Sequence, residues 1–189
     1  MKLEPSVTYS HTLLSNVVSE NDIVVDGTVG KGNDTEFLAR LVGNQGKVYG
    51  FDIQKEAIQK TQERINQNNL NNQVKLINDG HENISNYVND NIQAAIFNLG
   101  YLPGGNKEVI TLPETTLKAI QSSLSLLSIG GIVIIVLYYG HPGGEIEKEK
   151  VLSFVQSLNQ KQYAVLKYEF INQINCPPIL IAIQKNDNH

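Results

Sequence analysis

The sequence predicts an α/β protein built on a doubly wound, seven-stranded sheet that ends in an antiparallel β-hairpin. Three observations predict it. Short apolar runs alternate along the chain with longer amphipathic segments, the signature of repeated βα units. Most of the runs are apolar without interruption, as strands covered on both faces must be. The last two runs, Tyr163–Ile171 and Ile179–Gln184, are separated by a loop alone, so they pair antiparallel.

Each element has its own justification. A helix is expected over Val7–Val18, within an amino-terminal helical segment (residues 1–20) that precedes a core of residues 21–189. Ile23-Val24-Val25 is the first strand and ends at Asp26. A short helix covers Thr35–Val42, and the second strand, Lys47–Phe51, ends at Asp52. Lys55–Asn68 puts Ala57, Ile58, Thr61 and Ile65 on one helical stripe. Its Lys55, Lys60 and Arg64, with Glu56 and Glu63, read as a solvated face. Val74–Ile77 ends near Asp79, and His81-Glu82 opens a short helix whose first-turn acid suits the helix dipole. Ala94–Phe97 ends at Asn98. Pro113 opens a helix that runs to about Leu127, and Ser128-Ile129-Gly130-Gly131 reads as its stop. Ile132–Tyr139 is the fifth strand, and Glu145–Leu158 follows as an amphipathic helix. Crossovers between parallel strands are right-handed.

Composition narrows the function. The 189 residues suit one domain, and no run approaches the roughly 20 apolar residues of a membrane helix. Met1–Pro5 opens no apolar secretory stretch, and the single Cys176 rules out a disulfide framework, so a cytoplasmic location is expected. A net charge of −4 excludes a generically basic nucleic-acid binder but not a local patch. With Arg40 and Arg64 the sole arginines, lysines and backbone amides would have to hold any RNA phosphates. No His/Asp/Glu group has metal-ligand spacing, so no metal is expected.

Ligands of doubly wound sheets sit beyond the carboxyl ends of the strands, which points to Asp26, Asp52, Asp79 and Asn98. Asp26-Gly27-Thr28-Val29-Gly30-Lys31-Gly32-Asn33-Asp34-Thr35 leaves the first strand and opens a helix. Its glycines let backbone approach a ligand, and the helix start offers free amides. The order is neither Gly-x-Gly-x-x-Gly nor a Walker A loop. An acid ahead of the glycines suits a cationic amino group rather than a pyrophosphate, and Asp52 is placed for a ribose diol. S-adenosyl-L-methionine carries that amino group and a sulfonium.

On these residues, from about Asp22 to Lys185, the chain resembles the class I S-adenosylmethionine-dependent methyltransferases, whose sheet is Rossmann-like. The resemblance implies that Gly30 and Gly32 pass under the methionine portion, Asp52 holds the ribose, and Asp79-Gly80-His81 lies beside the adenine. The cofactor set it implies is Asp26, Thr28, Gly30, Lys31, Gly32, Asn33, Asp52, Gln54, Asp79, Gly80, His81 and Asn98. Asn98-Leu99-Gly100-Tyr101 is similar to the Asn/Asp-Pro-Pro-Tyr/Phe of enzymes that methylate exocyclic amines, with both prolines replaced. An Asn carbonyl there can accept an amine's hydrogens and aim its lone pair at the methyl, and Tyr101 can stack on a base. Asn98 and Tyr101 are therefore the catalytic candidates.

The longer strings Asn98–Lys107, Asp26–Thr35 and Tyr138–Gly144 resemble a small bacterial family labelled "putative rRNA methylases" and linked to tRNA wobble-uridine modification. That resemblance implies methylation of 5-aminomethyl-2-thiouridine to the 5-methylaminomethyl form, with the tRNA anticodon stem-loop as partner. Tyr101, Gly104, Lys107, Tyr139 and His141 are the substrate-contact candidates, and His141 is also a candidate proton acceptor. Lys118 is a further phosphate candidate, and His11 could face either the methionine end or the substrate. A homodimer would enlarge the RNA-contacting surface. Methylation of another amine acceptor, and a non-catalytic nucleotide- or RNA-binding module, remain as alternatives.

Overall fold

The computed structural model describes residues 3–100 and 111–187. Seven strands form one sheet: β1 (Ile23–Asp26), β2 (Lys47–Phe51), β3 (Val74–Ile77), β4 (Ile92–Leu99), β5 (Leu127–Leu137), β6 (Tyr163–Tyr168) and β7 (Ile179–Lys185). Their order is β3-β2-β1-β4-β5-β7-β6. β1 to β5 are parallel, and β7 runs antiparallel to both β5 and β6. The helices are α1 (Ser6–Val17), α2 (Asn33–Val42), α3 (Lys55–Gln67), α4 (Pro113–Leu126) and α5 (Gly144–Gln156), with a 3₁₀ helix at His81–Asn86.

Successive side chains of a strand point to opposite faces, and here both faces are covered. Val24, Val48, Ile96, Ile134 and Leu180 pack into one core with Leu14 of α1, Leu38 of α2 and Ile65 of α3. Val25, Phe51, Phe97, Ile135 and Ile181 pack into the other, with Ile84, Ile120 and Leu124 of α4, and Val151 and Val155 of α5. Two buried faces are why these strands read as apolar throughout. Edge strand β6 differs: its Val165 and Leu166 are exposed.

The strand order reverses at β1 and β4, the switch point at which α/β sheets hold their ligands. Helix α1 lies against β5 and β7. The Ser6 hydroxyl donates to the Pro178 carbonyl at 2.7 Å, and the Tyr168 hydroxyl donates to the Glu4 carbonyl at 2.8 Å. The Tyr9 and Tyr168 rings meet at 4.5 Å.

Most element ends shift by one or two residues from the sequence expectation, and the larger differences lie around β5 and β6. Ser128–Gly131 is not a stop between helix and strand: β5 starts at Leu127, directly after α4. Leu127 pairs with Ile92 and Ile132 with Ala94, so β5 carries three extra residues there, and Gly130 takes up the bulge at φ 77°. β5 ends at Leu137, before Tyr138-Tyr139, and β6 ends at Tyr168 rather than Ile171. Arg64 reaches off its own helix to Glu36 of α2 at 3.0 Å, where Arg40 also pairs at 2.8 Å.

Candidate active site

The loop after β1 is held from across the sheet. Gly30 (φ 54°) and Gly32 (φ 77°) adopt left-handed backbone that side chains disfavour. A Cβ on Gly32 would also stand 2.8 Å from Thr61 of α3. The Val29 amide donates to the Phe51 carbonyl at 3.0 Å. Asp52, just past β2, accepts from the Gly30 amide and the Gln54 amide, each at 2.9 Å. Burial raises the Asp52 carboxyl, against the lowering effect of these two amides.

Asp26 departs from the expectation that it meets the ligand. Its side chain is completely buried under the loop and does not line the cavity. It accepts from the Thr35 hydroxyl at 2.6 Å and the Thr28 amide at 3.1 Å. Burial, and then the charge of Asp34, push its carboxyl up to about 7. A carboxylate at a strand end is pulled inward here because Thr35, in the first turn of α2, offers it a buried donor.

The acid of this segment that faces the cavity is Asp34, in the first turn of α2. Its Oδ1 accepts from His11 Nε2 at 2.6 Å and its Oδ2 from Asn98 Nδ2 at 2.6 Å. The His11 ring stacks on Phe37, 3.9 Å between centroids and 6° between planes. The Asn98 backbone N–H donates to the Thr28 hydroxyl at 2.7 Å. Three elements, α1, α2 and β4, thus meet through one carboxylate.

These groups line a cavity of about 850 Å³ at the switch point. Of the expected cofactor residues, Thr28, Gly30, Lys31 and Asn33 enter it from the loop. Asp52 and Gln54 enter it from the end of β2, with the exposed side chain of Ile53 between them. Gly80 and His81 enter it after β3, with Glu82, and Asn98 after β4. His81 is buried, its Nδ1–H donates to the Gly27 carbonyl at 3.2 Å, and burial lowers its basicity. His141 also lines the cavity.

Five expected residues do not line it. Asp26 lies beneath the loop and Gly32 is buried within it. Asp79 is spent on its own turn, accepting from the Gly80 amide at 2.8 Å, Asn83 at 2.9 Å and the Tyr87 hydroxyl at 2.8 Å. Tyr139 packs on the core and holds Lys148 4.2 Å over its ring, whereas its neighbour Tyr138 faces the cavity. Lys118 is also absent from the lining. Tyr101, Gly104 and Lys107 lie outside the described residues. Among the described residues no group of His, Cys, Asp or Glu could hold a metal ion, and no helix is long and apolar enough to cross a membrane.

Several lining residues carried no assignment from the sequence: Asp34, Tyr138, Thr111, Thr115 and Cys176. Thr111 also fastens the end of β4. Its hydroxyl accepts from the Gly100 amide at 3.0 Å and donates to Glu147 at 2.7 Å, and Thr116 donates to the same buried carboxylate at 2.6 Å. Such long-range polar ties leave no periodic trace in a sequence. Asp34 had one available signal, its place in the first turn of the helix that follows the glycines.

The donor set fits a cationic nucleoside. Asp52 keeps acceptor capacity for a diol, Ile53 offers an apolar face, and Asp34, Asp52 and Glu82 outnumber Lys31 in charge. The sequence pattern of the family described as "Putative rRNA methylase" matches residues 48–184. A chloroplastic tRNA (mnm(5)s(2)U34)-methyltransferase of Arabidopsis thaliana is 37% identical over 95% of this chain and 69% of its own length. A solved "putative rRNA-methylase" of Clostridium thermocellum is 48% identical, covers 98% of this chain and all of its own, and superposes with a TM-score of 0.96. A "putative methyltransferase" of Streptococcus mutans, solved in complex with SAH, is 47% identical over 97% of this chain and 99% of its own, with a TM-score of 0.90. The chain belongs to the "Putative rRNA methylase" family of S-adenosylmethionine-dependent methyltransferases.

Proposed function

We propose that the protein methylates the amine of 5-aminomethyl-2-thiouridine at the tRNA wobble position, giving 5-methylaminomethyl-2-thiouridine. The observation that carries this reading is the set of polar groups around Asn98 at the end of β4, in a chain 37% identical to a relative that bears that reaction's name. An amine acceptor needs its N–H groups held and its lone pair aimed, which an amide carbonyl does without entering the chemistry.

Each wall of the cavity then has a task. Asp52 would accept from the ribose diol, with Gly30 and Gln54 fixing the carboxylate. Ile53 and His81 would border the base, and the loop amides from Thr28 to Asn33 would border the amino-acid end. S-adenosyl-L-methionine, when bound, supplies an electrophilic methyl carbon. Asn98 would face the acceptor, and the side of the cavity formed by Thr111, Thr115 and Tyr138 would admit its base. The acceptor must lose a proton before it can attack, because a protonated amine has no lone pair; His141 is a wall residue able to receive it.

The nucleoside profile of tRNA from cells lacking this protein tests the reading. Accumulation of the aminomethyl precursor is expected, and an unchanged profile overturns it. The family description names rRNA, so the same digest is run on rRNA: a methylated amine missing there favours that second acceptor. In the purified enzyme, Asn98→Ala should hold cofactor affinity within a few fold and lower turnover on the order of 100-fold, read by calorimetry and by methylation of precursor tRNA. Turnover that survives the substitution removes Asn98 from the reaction.

A further inference from the structure

Asn98 carries two kinds of atom that differ by one electron-pair role. Its amide oxygen accepts and its amide nitrogen donates, and a half-turn of the side chain exchanges them. An acceptor amine can be aimed only by the oxygen, so something must fix which atom faces the cavity. The residue that does so lies on a different element. Asp34 Oδ2 is 2.6 Å from Asn98 Nδ2, and an ionised carboxylate accepts hydrogen bonds but donates none. The Asn98 amide therefore turns its NH₂ to Asp34 and leaves its carbonyl oxygen to a ligand. From the other side the Thr28 hydroxyl takes the Asn98 backbone N–H at 2.7 Å, so main chain and side chain are both pinned.

Asp34 is itself held. His11 Nε2 stands 2.6 Å from Asp34 Oδ1, and for the same reason that nitrogen carries the proton. Phe37, one turn along α2, stacks on the His11 ring and fixes its plane. Both partners are partly shielded, with side-chain exposures of 29% for His11 and 12% for Asp34, so water competes weakly for the contact. The charge of Asp34 bears on the Asp26 carboxyl and on the Tyr138 phenol, raising both, and the His11 ring lies beside it.

We propose that Asp34 is a positioning residue that locks the Asn98 amide with its carbonyl oxygen toward the acceptor amine, and that His11 holds Asp34 in place from α1. The proposal rests on the reading of Asn98 given above and adds the pair that acts through it. Asp34→Asn is nearly the same size but carries an NH₂ of its own. It can therefore present either a donor or an acceptor to Asn98, and the orientation is no longer unique.

The test is a double-mutant cycle on wild type, Asp34→Asn, Asn98→Ala and the double variant. The single-turnover methylation rate of tRNA bearing the aminomethyl precursor is read at saturating S-adenosyl-L-methionine, so that changes in cofactor affinity do not enter. Asp34→Asn is expected to slow transfer at least tenfold in the wild-type background and to have no further effect in the Asn98→Ala background. A second pair reads the α1 link. His11→Gln keeps a donor and should stay within a few fold of wild type, whereas His11→Leu should slow transfer as Asp34→Asn does. Equal slowing by Asp34→Asn in both backgrounds, or a wild-type rate in Asp34→Asn, overturns the positioning role while the amine-methylation reading stands. A wild-type enzyme inert on precursor tRNA overturns the acceptor and this proposal together.

Discussion

Asp26 and Asn98 end neighbouring strands of the sheet, yet burial sends them to opposite tasks. Asp26 is sealed under the glycine loop, where its carboxyl rises from 3.8 to about 7. Between those values the folded protein binds more protons at this site than the unfolded chain. Stability therefore falls as pH rises through that window and levels off above it. The span corresponds to a few kcal/mol at most, on the order of 1.4 kcal/mol per pH unit. Asp26→Asn removes this dependence and keeps an acceptor for the Thr28 amide. Its melting temperature relative to wild type should therefore climb as the buffer is taken from about pH 5 to about pH 8. A difference that does not change with pH would mean that Asp26 is ionised throughout. The sequence showed an acid at this strand end, but not the side of the loop it faces. Which of Asp26 and Asp34 turns inward depends on where α2 begins and on the buried hydroxyl of Thr35, two facts with no periodicity to betray them.

At the level of elements, the glycine loop is shaped as much by what lies behind it as by its own flexibility. A Cβ on Gly27 would stand 2.2 Å from the ring of Phe97, which is fully buried in β4 and has nowhere to go. Gly27→Ala should cost about 1–3 kcal/mol, measured by urea unfolding, because the loop or the strand must shift to admit one methyl group. An unchanged midpoint would show that the ring yields freely. The strands themselves were legible, since two buried faces force unbroken apolar runs such as Ile132–Leu137. The start of β5 was not, because a bulge of three extra residues ending in Gly130-Gly131 mimics a helix stop. The Tyr138-Tyr139 pair failed for a related reason. Once the strand ends at Leu137, alternation no longer decides which ring faces the cavity, and the nearby Lys148 takes Tyr139 instead.

Across the whole molecule, the sheet order and the placement of the cavity at its reversal follow from topology rules alone, and the resemblance in the glycine loop and the β4 segment named the cofactor. What topology does not convey is that the first helix is laced to the last hairpin. Tyr168 donates to the Glu4 carbonyl at 2.8 Å and its ring meets Tyr9. Tyr168→Phe keeps the ring and deletes the donor, and should lower stability by about 1 kcal/mol, read in thermal melts. No shift at all would mean that the ring contact alone seats α1.

That lacing sets an order of events at birth. His11 is synthesised well before Tyr168 and Pro178, yet the helix carrying it is seated by them. A growing polypeptide therefore completes this wall of its catalytic pocket only after Pro178 has cleared the ribosome. Products of translation that stop before the hairpin would leave His11 without a berth, and with it the carboxylate it steadies.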